Sequence, residues 1–250
     1  MAIRIIAASC LAAALTALGT GSEAQVTAAE ILNRVRAAEA AVTDIRADMR
    51  ITEADKRNVS EMGKGYGDIL SLQRGVMYFK KPDLMRMDGF AKNIKVIYIQ
   101  NGYKKLVIAA MVRKTDDVKN APGKRWDTLD LGFLSSRLWT DNNVSVASTA
   151  RDGTVRLKFA PKFGDKDKRH DMVWIDPKTL RVLSREKYRG SGEMRARYFY
   201  SGFQTLAGKL PIATESKLYA PDGGFLGTIK YSNVKANTGL KDSLFSLSTK

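Results

Sequence analysis

The feature that most constrains the fold is a long series of short β-rich runs separated by turn residues. From Ile45 onward apolar residues alternate with polar ones, which is the pattern of a strand with one solvated face. Two later apolar runs meet across Asn101-Gly102, the strongest short signal of a β-hairpin. Strands are predicted at residues 45–51, 76–80, 84–90, 94–100, 103–111, 144–149, 155–159, 172–175, 182–188, 194–201, 210–219 and 225–233. About twelve strands joined mostly by hairpins predict a mainly β protein, whose antiparallel meander closes or half-closes on itself to hide its edges.

Two segments break this pattern and predict helices. Thr27 and Glu30 have the spacing of a capping box, and apolar residues recur after them at intervals of three or four. A polar stretch at 113–124 precedes a second, short helix predicted at 128–139. The apolar stripes of the two helices are Ile31, Val35, Ala38 and Val42, and Leu131, Leu134 and Leu138. Two helices cannot cover both faces of so long a sheet, so we expect them to plug or lid its concave side.

The first 25 residues have the anatomy of a secretory signal peptide, with Arg4 ahead of an apolar run that ends in a small, polar stretch. The run is too short to cross a bilayer, which takes about 20 apolar residues. We therefore expect residues 1–25 to be cleaved and residues 26–250 to form one exported domain. Cys10 is the sole cysteine and lies inside the apolar run. The mature chain is thus expected to have no disulfide, thiolate metal site or cysteine nucleophile.

The chain is strongly basic, with 42 lysines and arginines against 26 acidic residues and a net charge of +16. A charge of this size attracts anionic partners such as lipid head groups, acidic polymers or nucleic acid. Solubility alone is an equally good explanation of a surface charge that follows no positional motif.

Residues of the kinds used in catalysis are sparse. His170 is the only histidine, so no two-histidine metal site can be built, and its lysine-rich surroundings favour an exposed turn residue. Ser191 lacks the outer glycines of a nucleophile elbow and is interpreted as a turn serine. Arginines and aromatics interleave at 195–200 as in an ordinary strand. We therefore expect no enzyme activity, catalytic residue, metal or cofactor, and no nucleic-acid partner.

Four strings occur in order along most of the mature chain. They are GVMYFKKPDLMR at 75–86, the hairpin at 96–107, DMVWIDPKT at 171–179 and KANTGLKDSLF at 235–245. Together they resemble segments of the LolA-like periplasmic lipoprotein carriers, and the last resembles the ending of the outer-membrane lipoprotein-sorting branch. The series of four is more specific than any one of them.

The resemblance implies a half-open antiparallel β-barrel in the periplasm, whose apolar concave face, lidded by helices, accepts the acyl chains of a lipoprotein or another lipid. Each methylene that leaves water for such a cavity contributes about 0.8 kcal/mol, without any bond-making chemistry. The candidate cavity and lid residues are Met77, Phe79, Lys81, Met85, Met87, Leu131, Leu134 and Leu138. The implied partners of this expected monomer are an inner-membrane donor complex and an outer-membrane acceptor, with an anionic membrane surface as a further candidate.

Lys81 stands just before Pro82, where the best-known carriers have arginine. If Met77 and Phe79 face the cavity, strand alternation puts Lys81 at its mouth, where the ammonium could donate to a carbonyl of either helix. Such a contact would latch the empty form shut. The alternative is a solvated lysine at a strand end.

Members of this fold also serve as envelope-stress sensors or carry other lipids, so two alternatives stay open. One is a regulatory or scaffold module that docks an acidic envelope partner through the basic surface. The other, weaker one is a hydrolase that uses carboxylates such as Asp116 and Asp117.

Overall fold

A computed structural model of the protein describes residues 26–62, 67, 69–121, 124–162 and 168–248. The predicted signal peptide and Cys10 lie outside these ranges. Within them, no helix is both long and apolar enough to span a membrane.

Thirteen strands form one continuous antiparallel sheet, as the hairpin pattern predicts. The strands are β1 (Asp44–Ala54), β2 (Arg74–Lys80), β3 (Leu84–Ala91), β4 (Ile94–Asn101), β5 (Lys104–Ala109), β6 (Val112–Asp117), β7 (Asn142–Thr149), β8 (Val155–Pro161), β9 (His170–Asp176), β10 (Arg181–Tyr188), β11 (Met194–Ser201), β14 (Glu215–Tyr219) and β15 (Phe225–Ala236). Their spatial order is β6-β5-β4-β3-β2-β1-β15-β14-β11-β10-β9-β8-β7. Two short strands, β12 (Gln204–Leu206) and β13 (Leu210–Ile212), pair separately. The edge strands β6 and β7 do not pair with each other, so the sheet stays open.

The helices are α1 (Ala28–Glu39), α2 (Lys56–Glu61) and α3 (Arg137–Asp141), with 3-10 turns at Thr128–Leu131 and Asp242–Phe245. The capping box predicted for α1 is confirmed: the Glu30 amide donates to Thr27 Oγ1 at 3.2 Å, and the Thr27 amide donates to Glu30 Oε2 at 2.7 Å. Ile31, Val35 and Ala38 on α1 are buried, also as predicted. We call residues 127–141, which include α3 and the first 3-10 turn, the lid.

The lid lies in the hollow of a curled sheet. Its Phe133 ring contacts Phe79 of β2 edge to face, with centroids 5.5 Å apart, while its Leu129 carbonyl accepts a hydrogen bond from Tyr200 of β11 at 2.7 Å. Strands β1, β15 and β14 separate β2 from β11 in the sheet. One short segment reaches both strands because the sheet curves around it. This concave face and the lid enclose the main hydrophobic core.

Residues 113–117, the first part of the segment predicted as a polar interruption, form the edge strand β6 together with Val112. It pairs with β5, so that Lys105 faces Asp116 and Leu106 faces Thr115. All of its residues except Asp116 are exposed. An edge strand with no buried side chain has no need of apolar alternation, and charged residues there protect the edge from pairing with other chains. The sequence pattern therefore carried no strand signal.

The prediction of a single helix at 128–139 is wrong. The segment forms a 3-10 turn and a separate short helix, and the break between them begins at Gly132. Gly132 has φ +74°, and a Cβ there would lie 2.7 Å from the Cβ of Ala213. The Ala213 amide donates to the Gly132 carbonyl at 3.2 Å, and this contact falls where the strand predicted at 210–219 divides into β13 and β14. The close backbone approach thus interrupts both predicted elements at once.

Candidate functional site

The structure brings the predicted cavity residues together on one side of the sheet. Met77, Phe79, Met85 and Met87 lie on β2 and β3, and they belong to the same buried core as the three lid leucines, Leu131, Leu134 and Leu138. Each of the seven side chains is less than 5% exposed. They are therefore packed against one another in this form, and their role in binding a ligand stays a prediction.

Lys81 lies at the rim of this core. Its Nζ donates to the carbonyl oxygen of Glu39, the last residue of α1, at 2.8 Å. The predicted contact with a helix carbonyl is therefore present, and the first helix provides the acceptor. Whether the contact works as a latch stays a prediction.

Glu39 joins three elements, which sequence reasoning missed. While its carbonyl accepts from Lys81, its carboxylate accepts a hydrogen bond from the Ser136 amide at 3.1 Å and another from the Ser136 hydroxyl. α1, the rim of β2 and the lid therefore meet at one acidic residue. A glutamate at a helix end has no sequence signal for such a role, because its partner is 97 residues away.

On the other side, the lid is held by a buried arginine that sequence reasoning also missed. Arg185 of β10 is 1% exposed, and its guanidinium binds three carboxylates. It donates to Asp127 at 2.9 Å and to Asp130 at 2.8 Å, both in the lid, and from Nε to Asp171 of β9 at 2.8 Å. Lys187 adds a second cation 3.2 Å from Asp130. We call these five residues the Arg185 cluster.

Charge balance decides the ionisation of the Arg185 cluster. Burial alone would raise the pKa of Asp130, but the neighbouring Lys187 and Arg185 cations outweigh burial and lower the pKa. The carboxylates likewise raise the pKa of Arg185 although burial opposes this. At Asp127, by contrast, burial outweighs the attraction of Arg185 and raises the pKa. The ion pairs that hold the lid to β9 and β10 lie in a buried site, where each interaction is stronger than on a surface.

A neutral network joins Trp126, the residue just before the lid, to β4. Gln100 is fully buried; its amide nitrogen donates to the Trp126 carbonyl at 2.9 Å, and its oxygen accepts from the Trp126 amide at 3.0 Å and from the Tyr98 hydroxyl at 2.9 Å. The Tyr98 and Trp126 rings stack at 5.3 Å. Every polar atom of the Gln100 side chain thus has a partner, as a buried amide requires.

Two cavities adjoin the lid in the part of the chain that the structure describes. The smaller, of about 90 Å³, lies between the core and the Arg185 cluster, with Phe79, Met85 and Leu138 among its lining residues. The larger, of about 300 Å³, has apolar residues of the central strands and of the segment before β2, and a rim rich in lysine and arginine. Its apolar lining comprises Met49, Ile69, Leu70, Leu218 and Ile229, with Trp126, Tyr198 and Tyr231. None of the eight predicted site residues lines this larger cavity.

His170 differs from the prediction of an exposed turn residue. It is the first residue of β9 and is partly buried, and its ring stacks on that of Tyr188 at 4.8 Å. The physical reason is the pairing of β9 with β10, which places His170 directly opposite Tyr188. Gly190 to Gly192 do form the predicted turn between β10 and β11.

Neither a protein-family model nor a curated protein matches this sequence. Solved structures do match its fold. A LolA superfamily protein from Nitrosomonas europaea is 15% identical with a TM-score of 0.60, and the match covers 88% of this chain and 98% of that one. A putative outer membrane lipoprotein-sorting protein domain from Vibrio parahaemolyticus is 13% identical with a TM-score of 0.57, covering 86% and 95%. A DUF1329 family protein from Desulfovibrio piger is 16% identical with a TM-score of 0.56, also covering 86% and 95%.

These matches span nearly the whole length of each solved structure, so they concern the complete sheet and not a shared hairpin. The open thirteen-stranded sheet with a lid in its hollow is the arrangement that the sequence resemblance implied. This chain has the LolA-like fold.

Proposed function

We propose that this protein is a periplasmic carrier, which binds the acyl chains of a lipoprotein or another lipid between the lid and the concave face and releases them without chemical change. Its signal peptide would deliver it to the periplasm, where as a monomer it would receive cargo from an inner-membrane donor and pass it to an outer-membrane acceptor. Because transfer breaks no bond, the proposal needs no catalytic residue or cofactor.

The observation that carries this proposal is a lid with an apolar underside, set beside an open cavity. Leu129, Leu131 and Phe133 are buried against the sheet. The polar contacts of the lid with α1 and β10, and those of the preceding Trp126 with β4, lie around them. Opening the lid would add this apolar surface to the cavity of about 300 Å³. Acyl chains would then replace the lid in covering the same residues, at about 0.8 kcal/mol for each buried methylene.

Two measurements test the proposal. Folded protein should enhance the emission of an environment-sensitive hydrophobic dye in a saturable way, and lysophospholipid should displace the dye. Native mass spectrometry of protein purified from its own periplasm should show co-purifying acyl species. The carrier proposal is wrong if folded protein binds neither dye nor lipid with saturation. A lipid-free mass with a tightly held protein partner would instead support a regulatory or scaffold module that docks through the basic surface.

A further inference from the structure

The rim of the larger cavity is strongly cationic. Among the described residues that line it are six cationic side chains, those of Lys105, Lys124, Arg125, Arg169, Lys187 and Arg195, and one carboxylate, that of Asp130. Arg125 pairs with Asp83 and Asp141 at 3.0 Å each, and Lys187 pairs with Asp130. Among the described lining residues, cations therefore outnumber carboxylates by six to one.

The other four cations stand on two sides of the cavity, and Arg169 and Arg195 each also interact with other groups of the protein. Lys105 on β5 and Lys124 after β6 belong to one edge of the sheet, whereas Arg169 and Arg195, at the starts of β9 and β11, belong to the other. Lys105 is partly buried, and its Nζ donates to the Lys124 carbonyl at 3.2 Å. Burial lowers the pKa of Lys105, although Asp116 across the strand pair opposes this. An anion beside the ammonium would offset the free-energy cost of this desolvation.

We propose that the larger cavity binds an amphiphile with an anionic head group, a phosphate or a carboxylate, between Lys105 on one wall and Arg169 and Arg195 on the other. The acyl chain would lie on the apolar floor, which includes Met49, Leu218 and Ile229. Arginine forks match phosphate and carboxylate oxygens in pairs, and lysine supplies a point charge. This inference rests on the proposed carrier function and narrows its cargo.

The test compares two lipids with the same acyl chain: 1-palmitoyl lysophosphatidylglycerol, which is anionic, and 1-palmitoyl lysophosphatidylcholine, which is zwitterionic. We expect the anionic lipid to displace the dye at a concentration at least about tenfold lower, the size of one charge-assisted hydrogen bond. Lys105→Gln and Arg195→Gln should each lower the affinity for the anionic lipid by about three- to twentyfold. Neither change should alter the affinity for the zwitterionic lipid. Lys235→Gln, on the exposed side of β15, removes the same charge away from the cavity and should change neither.

Three outcomes overturn the head-group inference. Equal affinity for the two lipids would remove it while leaving the carrier function intact. If Lys105→Gln and Lys235→Gln lost the same affinity for the anionic lipid, the preference for that lipid would come from the net charge of the protein and not from the cavity. Inorganic phosphate that competes with the anionic lipid at the lipid's own affinity would identify a site for free phosphate and not for a lipid. If neither lipid binds, the carrier function itself fails.

A second, independent observation concerns one end of the sheet. Of the five exposed large hydrophobic residues among the described ranges, four are Phe90, Ile94, Met111 and Val112, with exposures of 37%, 48%, 101% and 63%. They lie at the β3–β4 and β5–β6 turns. The pairs Ala91–Ile94, Val96–Ala109 and Ala109–Val112 put both turns at the same end. We call these two turns, residues 90–95 and 109–114, the hairpin tips.

The hairpin tips are also uniformly basic. No aspartate or glutamate occurs between residues 89 and 115, while Lys92, Lys95, Arg113 and Lys114 lie on the tips and are exposed. The Arg74 guanidinium lies 5.6 Å from the centre of the Phe90 ring. Exposed apolar side chains among cations are the surface that binds the head-group region of an anionic bilayer. We infer that the hairpin tips dock the protein on an anionic membrane.

Labelled single-cysteine variants test this docking, because Cys10 is the only native cysteine and is expected to be removed with the signal peptide. A polarity-sensitive dye on Met111→Cys should shift to shorter wavelength with phosphatidylglycerol vesicles and not with phosphatidylcholine vesicles. The control is Phe199→Cys, at the fifth exposed apolar position, on β11, where no shift is expected. The shift should diminish between low and physiological salt, as the screening length falls from about 30 Å to about 8 Å.

A double variant, Ile94→Asp with Met111→Asp, should weaken binding to phosphatidylglycerol vesicles at least tenfold, whereas Phe199→Asp should not. Both positions are exposed, so neither change disturbs the core. Equal responses of the two labels, or unchanged vesicle binding of the double variant, would overturn the docking. So would a wild-type protein that binds no vesicles but loses a protein partner when the tips are changed.

Discussion

Arg185 is a buried charge, and three carboxylates offset the free-energy cost of removing its guanidinium from water. Its guanidinium is 1% exposed and accounts for the contacts between the lid and β9–β10 described above. A buried ion pair contributes little over a well-packed apolar pair, but removing one partner leaves the others charged and unpaired. The Arg185 cluster therefore specifies where the lid sits more than it adds to overall stability.

Substitution of this arginine has a definite expected cost. Arg185→Met should lower the free energy of unfolding by about 3–5 kcal/mol, because it removes the cation that pairs with Asp127 and Asp171 and leaves Asp130 with Lys187 alone. Arg197→Met is the control: Arg197 pairs with Glu186 at 2.7 Å but is 39% exposed, so its loss should cost about 0–1 kcal/mol. Urea denaturation of both variants measures the difference. Equal losses would mean that the Arg185 cluster is not a buried electrostatic unit.

Lys81 and Lys80 are adjacent lysines with opposite surroundings. Lys81 donates to α1, whereas Lys80 donates to the Leu240 carbonyl at 2.7 Å and pairs with Asp242 on the C-terminal segment. If Lys81 latches the empty form, Lys81→Leu should speed the uptake and release of the hydrophobic dye with the fold intact. The lost contact contributes at most about 1.5–3 kcal/mol, because it is only partly shielded from water.

Lys80→Leu is the matched control, since it removes the neighbouring lysine, the last residue of β2, without touching α1. Stopped-flow fluorescence with the dye measures both variants, and circular dichroism checks that they remain folded. If the rates for Lys81→Leu equal those of the wild type, the lysine is only a strand-end residue.

At the scale of elements, the lid depends on the conformation of Gly132. Ala at this position would have to hold φ +74° and would bring its Cβ to 2.7 Å from that of Ala213. Gly153 offers a comparison, with φ +84° and no atom within 4 Å of the position that an alanine methyl group would take. The two glycines thus share the backbone cost of a left-handed residue and differ in the space around it.

We expect Gly153→Ala to cost about 1 kcal/mol of stability from backbone strain alone. Gly132→Ala should cost about 1–3 kcal/mol more, because the methyl group overpacks the contact between the lid and Ala213. Urea denaturation gives both values. Equal costs would show that the lid shifts freely away from Ala213, and would argue against a fixed lid position.

Elements that form by local alternation were predictable, and elements that depend on distant contacts were not. The hairpin around Asn101-Gly102 and the capped helix α1 follow from residues within a few positions. The break at Gly132 and the edge strand β6 depend on Ala213 and on β5. No local pattern reports such contacts, since tertiary packing decides them.

The candidate site shows the same division. Alternation puts Met77 and Phe79 on one face of their strand, and both are buried; in β11 it separates Tyr198 and Tyr200, which are buried, from Phe199, which is exposed. It could not tell which buried residues line a cavity and which fill the core. That distinction depends on the pairing of β1 with β15, residues at opposite ends of the chain, which places Met49 beside Tyr231.

At the scale of the whole molecule, the two halves of the open sheet are joined where its first and last strands, β1 and β15, pair with each other. β1 pairs with β15, and the segment after β15 folds back onto Asp44 at the start of β1. Asp44 Oδ1 accepts from the Thr238 amide and hydroxyl, each at 2.7 Å, and Oδ2 accepts from the Gly239 amide at 3.2 Å and the Thr43 hydroxyl at 3.1 Å. One buried carboxylate therefore joins the first and last strands of the chain.

This junction makes stability depend on pH. Burial alone would raise the pKa of Asp44, but the hydrogen bonds from Thr238, Thr43 and Gly239 outweigh it and lower the pKa. Because the folded pKa is below the unfolded value of about 3.9, the stabilisation is complete above that value and is lost as pH falls through the folded pKa. Asp44→Asn should therefore cost about 1–3 kcal/mol at pH 7, and clearly less at pH 3. Urea denaturation at the two pH values measures the cost. A cost that does not change with pH would mean that the Asp44 charge plays no part in joining β1 to the segment after β15.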